Sequence, residues 1–433
     1  MDLSTVALLG AAIVLLILGM PIGFLLILVG FVGIATIRGL EPALTMIGSR
    51  PFEVNSSYEL SVVPLFVLMG HLAYASGVTQ GIYTASRQWL GSLHGGLVIA
   101  TTFANAVFGA CCGSTTAATA VFGRVAIPEM LRSGVDRRLA AGCVAASGCL
   151  SAIIPPSVLI VVYGIIAGVS IPRVLMAGII PGAITAIAFM VMIYVRARLN
   201  PSLAPPLTGI TWNDRFRSMR GVWGAFLLAT VVLGGIWAGI FTPTEGGGIG
   251  AMGAFVMVVA SGRFTRAVLR ESFLETARTT AVIFIIVTGA LVFTVFLALT
   301  GIPAAVTSFI VGLPVPPIVV IIGFMLILIV AGSFVEPVSM LFLTMPFMIP
   351  IVKDLGYDLV WFGVLVVTTC EIGMVTPPVG LNCFMLKSVV PELSLADIFH
   401  GSGWFIAMFC VVLALLMAFP ELSLLIPNAM LSR

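Results

Sequence analysis

The chain has 433 residues, 60% of them hydrophobic and 9% charged, with a formal net charge of +3. Soluble domains carry about 25% charged residues, so the composition excludes a soluble globular protein. It points to an all-α polytopic membrane protein with no room for a soluble domain between spans.

Apolar segments long enough to cross a bilayer, roughly 17–25 residues, fall near 5–37, 60–76, 95–131, 138–169, 174–195, 221–241, 244–260, 279–300, 316–351, 359–390 and 401–427. The first lacks a basic start and exceeds the roughly 7–15 apolar residues of a signal's core. It is therefore expected to be a retained, tilted span. The seven cysteines, Cys111, Cys112, Cys143, Cys149, Cys370, Cys383 and Cys410, all lie in apolar segments without metal-site spacing. They read as small buried hydrophobes.

Lys353 and Lys387 are the only lysines, so arginine carries the topology. Arg87, the stretch Arg132–Arg138, the stretch Arg196–Arg220 and the stretch Arg263–Arg278 all belong in the cytoplasm by the positive-inside rule. Residues 95–131 then start and end on the same side. They are expected to form a re-entrant hairpin turning near GACCGSTT (109–116). Counting crossings onward places 301–315 and 353–358 outside. Segment 316–351 becomes a second hairpin, turning near GSFVEP (332–337).

Each hairpin is followed by a short polar turn, an apolar helix and a double proline, IIPPSV (153–158) and VTPPVG (375–380). A proline in a helix interior removes a hydrogen bond and clashes with the preceding turn, at about 3 kcal/mol or more. Two such breaks, one per hairpin, argue for inverted structural repeats with two discontinuous helices. Broken helices free backbone groups at membrane depth, which is tolerated only where the backbone is buried in protein or lines a cavity. Secondary transporters place their substrate and ion sites at such breaks. Other classes are disfavoured. No Gly-Lys pair is present to end a phosphate loop, and His71, His94 and His400 form no H-E-x-x-H set. The chain is not expected to be an enzyme or to bind nucleic acid.

The stretches GMPIGF (19–24), VVPLFVLMG (62–70), IPPSVLIVVYG (154–164), GIFTPTEGGGIGA (239–251), GSFVEPV (332–338) and TPPVG (376–380) resemble the large membrane subunit of tripartite ATP-independent periplasmic (TRAP) transporters. The resemblance implies a multi-pass protein of the bacterial inner membrane, importing an organic acid anion such as a C4-dicarboxylate or sialic acid. Na⁺ would be the coupling ion and the mechanism of the elevator type. The implied partners, besides membrane lipid, are a small four-helix membrane subunit and a periplasmic substrate-binding protein. No extra spans precede 5–37, so the small subunit is expected as a separate chain. The alternatives are a stand-alone Na⁺/dicarboxylate symporter and a channel. On this reading 1–433 is one membrane domain. It divides into a first scaffold and arm part (5–94), a first hairpin and broken helix (95–169), a scaffold with an amphipathic arm (174–315), a second hairpin and broken helix (316–391) and a C-terminal span (401–427).

Na⁺ is a hard ion, so oxygen ligands are expected. A first Na⁺ site is assigned to Ser114 and Thr115 with backbone near Pro155 and Ser157. A second is assigned to Gly332 and Ser333 with Thr376, Pro377 and Gly380. The anion is expected near Ser114, Thr116, Ser333 and Asn382, with Glu336 and Glu371 as possible modulators. Glu336 stands where the resemblance leads one to expect Asp. Glu245 reads as a helix cap, His71 as a core histidine, and Arg124 and Glu129 as snorkelling or paired surface residues. Residues 261–278 read as an amphipathic helix along the cytoplasmic interface.

Overall fold

The computed structural model describes residues 3–431, and among these the regular structure is entirely helical. Four of the helices are long and apolar enough to cross a membrane, or seven spans if each bent pair counts as one. The chain is thus a multi-pass membrane protein.

The first hairpin forms where the sequence places it. Helix Gly96–Cys112 ends on Gly113, at φ +61°, and helix Thr115–Arg132 starts from Ser114, whose side chain accepts from the Ala117 amide. The arms are antiparallel, since the Thr101 hydroxyl reaches Met130 Sδ at 3.8 Å, far from the tip. Both ends of the hairpin are stitched to one loop. Gly95 N donates to Ala204 O at 3.1 Å and Asp136 N to Leu203 O at 2.7 Å. The first broken helix follows as Arg137–Ile153 and Val158–Ala167, bent by 44° at the double proline. Asp136 caps its start by accepting from Leu139 N.

The second hairpin comprises helices Pro317–Gly332 and Pro337–Asp354 around the turn 333–336. The second broken helix comprises Leu359–Val375 and Leu381–Val389, separated by the second double proline. Its start is also capped by an aspartate, Asp358, which accepts from Val360 N and Trp361 N. This end of the second hairpin is tied to the second half of the first broken helix and to the start of the helix that follows it. Tyr163 donates to Leu359 O at 2.7 Å, and Arg173 lies 4.0 Å from Asp358. Arg173 and the loop 203–204 flank the two ends of the apolar span Ile171–Leu199. The bases of the two hairpins therefore sit at opposite ends of that span.

Three expectations are corrected. Segment 5–37 is two helices, Leu3–Ile17 and Ile22–Arg38, because Gly19 at φ +83° and Pro21 stop the first. The C-terminal segment 401–427 is also two helices, Leu395–Ala418 and Glu421–Leu431, divided at Pro420, where the ring removes the amide that would continue the ladder. The amphipathic stretch 261–278 is no separate interfacial arm. It is continuous with the span that follows, as the 35-residue helix Arg266–Thr300. Thr265 caps it and nothing breaks it before Gly301. At 1.5 Å per residue it is about 52 Å long, well beyond a hydrocarbon core of about 30 Å, so its charged first turns extend out of the apolar layer. Helices Leu40–Asn55, Val78–Leu90 and Ile302–Val311 were not anticipated.

Helix Ile22–Arg38 packs closely on this long helix. A Cβ at Gly30 would fall 2.8 Å from the Phe293 backbone nitrogen. Helices Val62–Ala75 and Pro243–Ala260 join them in one packed group. The hairpins and broken helices form the other group, closed by Gly142 against Gly401. Small residues allow such close backbone approach between membrane helices.

Candidate functional site

A cavity of about 790 Å³ lies where the two groups face each other. On one side stand Gly70 and His71 of helix Val62–Ala75, together with the helix Arg266–Thr300. On the other stand Ser114, Thr115 and Thr116 of the first tip, Val158 and Leu159 after the first break, and Glu371. Glu336 and Pro337, where the second hairpin turns, complete the wall. The exposed, charged side chains of Arg124, Glu271 and Arg278 also line the cavity.

Three helix N-termini border this cavity: those of Thr115–Arg132, Val158–Ala167 and Pro337–Asp354. Each helix start carries roughly half a positive charge, and unpaired amides there suit an anion. Each is occupied in part by its own cap: Ser114 Oγ accepts from Ala117 N, Ser157 Oγ from Ile160 N, and the Glu336 carboxylate from Ser339 N at 3.1 Å.

Each tip meets the break of its own half. A Cβ at Gly113 would fall 2.6 Å from Pro156 O. In the second half, Gly380 N donates to Ser333 O at 3.1 Å, and a Cβ on Gly373 would fall 2.7 Å from the Gly332 backbone. The groupings of Ser114 and Thr115 with Pro155 and Ser157, and of Gly332 and Ser333 with Thr376, Pro377 and Gly380, are thus spatial neighbourhoods. Several of their hydroxyls are committed locally. Ser157 donates to Ala152 O and accepts from Ile160 N. Ser333 donates to Val330 O, and Thr376 to Ile372 O.

Of the residues expected at the anion, Ser114 and Thr116 line the cavity, whereas Ser333 and Asn382 do not. Asn382 is turned away and fully buried, its Nδ2 donating to Ala145 O at 2.6 Å. Glu371 faces the cavity and accepts from Thr115 Oγ1 at 2.8 Å. Glu245 is a cap, in a reciprocal arrangement with Thr242. Glu129 is paired with Arg87 at 2.7 Å. Arg124 and His71 line the cavity instead of the outer surface and the core.

A group of polar residues beneath the first tip went unnoticed in the sequence. Asn105 Nδ2 donates to Ser147 Oγ at 2.7 Å, and Ser151 lies against Gly109 one helical turn on. Asn105 Oδ1, Ser151 Oγ and Thr119 Oγ1 are fully buried and have no hydrogen-bond partner among the described residues. Buried polar atoms are ordinarily satisfied. Orphaned oxygens of this kind suit a hard cation such as Na⁺. The available signal was a polar residue recurring at one-turn spacing inside apolar helices.

Two hairpins and two broken helices around an internal cavity define a polytopic membrane protein of carrier architecture. The chain belongs to the family described as "Tripartite ATP-independent periplasmic transporter, DctM component", whose model matches residues 9–422. It is 33% identical to the C4-dicarboxylate TRAP transporter large permease protein DctM of Pseudomonas aeruginosa, over 90% of this chain and 93% of that one. It is 31% identical to the sialic acid TRAP transporter large permease protein SiaM of Vibrio cholerae, over 96% of this chain and 97% of that one. Its fold is similar to that of the YdaH transporter of Alcanivorax borkumensis, with a TM-score of 0.63 at 16% identity, covering 88% of this chain and 89% of the other.

Proposed function

We propose that this chain is the permease of a Na⁺-coupled importer of an organic acid anion in a bacterial inner membrane. The anion would be delivered by a periplasmic binding protein, and a small four-helix membrane subunit would complete the complex. The relatives named for C4-dicarboxylates and sialic acid both imply carboxylate substrates. The observation that carries the reading is the convergence of three helix N-termini on one cavity, with the hydroxyls of Ser114 and Thr116 beside them. A carboxylate there would receive backbone and hydroxyl donors without a fixed ion pair.

Na⁺ would be held by oxygens of the first tip, Ser114 and Thr115, with main chain near Pro155 and Ser157. A second ion would lie at the corresponding place near Gly332, Ser333, Thr376, Pro377 and Gly380. The orphaned oxygens beneath the first tip support a cation in that half. The opposite placement of the two hairpin bases supports an inverted repeat. Arg124 and Arg278 line the cavity, and Arg278 belongs to an arginine-rich stretch that the positive-inside rule assigns to the cytoplasm, which supports an opening on that side. This is then the inward-facing arrangement of an elevator, with the hairpins and broken helices as the moving part.

The test is uptake of a panel of labelled organic acids into proteoliposomes holding this chain and the small subunit. The Na⁺ gradient and the binding protein are each included or omitted. Uptake that needs both supports the proposal. Na⁺-driven uptake without the binding protein would make the chain a stand-alone symporter, and non-saturating flux would make it a channel.

A further inference from the structure

We propose that Glu371 is the positioning residue that turns the Thr115 hydroxyl into an ion ligand. This inference rests on the Na⁺ reading above. Thr115 Oγ1 donates to Glu371 Oε2 at 2.8 Å, across 256 positions of sequence and between the two halves of the molecule. A hydroxyl has one proton and two lone pairs. With the proton committed to Glu371, both lone pairs are held away from it, toward the first tip. The Ser114 hydroxyl lies at that tip, 3.4 Å from that of Thr116. A carboxylate behind a ligand fixes its orientation and raises its basicity, as outer partners do for metal ligands generally.

Glu371 is suited to this task. Its residue is 1% exposed and no Lys or Arg pairs with it among the described residues. A buried carboxylate without a partner is costly, and a cation bound at Thr115 would supply the missing charge. Cys149 donates to the main-chain carbonyls of Ala145 and Glu371, each at 3.6 Å, and its thiol is the carboxylate's other neighbour besides Thr115. Two residues further on, Gly373 packs on Gly332 of the second tip. Glu371 therefore sits on a helix that touches both tips.

The test is the Na⁺-specific rise in melting temperature of the purified protein in detergent, with K⁺ as control, read beside the Na⁺ dependence of uptake. Binding to the folded state raises stability with ligand concentration, so the midpoint reports Na⁺ affinity without transport. Glu371→Leu and Thr115→Val should each raise the Na⁺ midpoint roughly tenfold, the lower end of outer-partner losses. The double variant should be no worse than either single one. Thr115→Ser, which keeps the hydroxyl, should stay near wild type. Glu371→Gln, which keeps an acceptor and loses the charge, should fall between. It decides the matter if the leucine variant does not fold, and an unchanged midpoint in that variant then overturns the proposal. A wild-type shift that Glu371→Leu leaves unmoved overturns this inference alone, as do additive effects in the double variant. A wild-type protein with no Na⁺-specific shift overturns the Na⁺ reading along with it.

Discussion

At the first helix break Pro155 and Pro156 are buried, whereas at the second Pro377 and Pro378 are exposed. The tips differ in detail: at the second, Gly332 and Ser333 are buried and the residue after them is exposed. Ser114, Thr115 and Thr116 are enclosed by the cavity and by helix Val62–Ala75, whose Gly70 abuts the Cys112 carbonyl. The second tip presents Phe334 at 56% exposure. Two halves with nearly the same grammar of Gly-Ser tip, aspartate cap and double proline thus stand in unlike surroundings. A symmetric pore would give both halves the same environment. On the proposed carrier reading the halves need not match, although Glu336 and Pro337 bring the second hairpin to the same cavity wall.

The contrast can be tested by perturbing equivalent positions. The largest effect is expected at Gly113. Its φ of +61° and the Pro156 carbonyl 2.6 Å from a would-be Cβ leave no place for a side chain. Left-handed strain for a non-glycine residue is of order 1–3 kcal/mol, and the collision adds to it. Gly113→Ala should abolish measurable uptake. Gly332→Ala should be milder, because its nearest obstacle is the flexible Met340 side chain at 3.2 Å. Equal losses would remove the asymmetry.

Thiol chemistry comes next. In a Cys410→Ser background the six remaining native cysteines are buried. Phe334→Cys should react with a maleimide roughly tenfold faster or more than Cys111, since thiol reactivity follows access. Comparable rates would mean that the first tip is as open as the second. Smaller effects are expected at the hydroxyls. Ser114→Ala should weaken uptake several-fold, because it removes both a cavity oxygen and a cap typically worth ~1 kcal/mol. Ser333→Ala should weaken the Na⁺ dependence of uptake several-fold, because the hydroxyl that donates to Val330 O keeps its lone pairs for the second ion. The smallest difference is expected between Asp136→Ala and Asp358→Ala. Each removes the cap of a broken helix and should cost about 1 kcal/mol of thermal stability. A several-fold larger cost at one of them would show that the halves differ in stability as well as in exposure.

Much of this architecture was legible in the sequence because backbone breaks are written locally. Gly113–Ser114, Gly332–Ser333 and the two proline pairs specify where helices must stop. The arginines specify which ends lie together. Weaker punctuation was lost in the hydropathy. Gly19–Pro21 and the single Pro420 divide runs that are apolar throughout, so length alone read them as single spans. The reverse error at 261–278 came from polarity, which marks a surface but does not end a helix; only a breaker would, and none is present. The site was legible in its tips and illegible in its cross-links. Thr115 and Glu371 are far apart in sequence, and no local pattern joins them. Asn382 looked like a ligand from its place after the second break, but a helix starting at Leu381 turns that side chain onto Ala145.

The most direct test of the central claim, that the cavity is the transport path and opens toward the cytoplasm in this arrangement, is the sidedness of labelling at its wall. Ala120→Cys would be placed in the Cys410→Ser background and exposed to a membrane-impermeant maleimide in inside-out and right-side-out vesicles. The account predicts rapid labelling in inside-out vesicles, little in right-side-out ones, and slowing when Na⁺ and a transported acid are added together. Equal labelling from both sides, or labelling indifferent to Na⁺ and substrate, would contradict it.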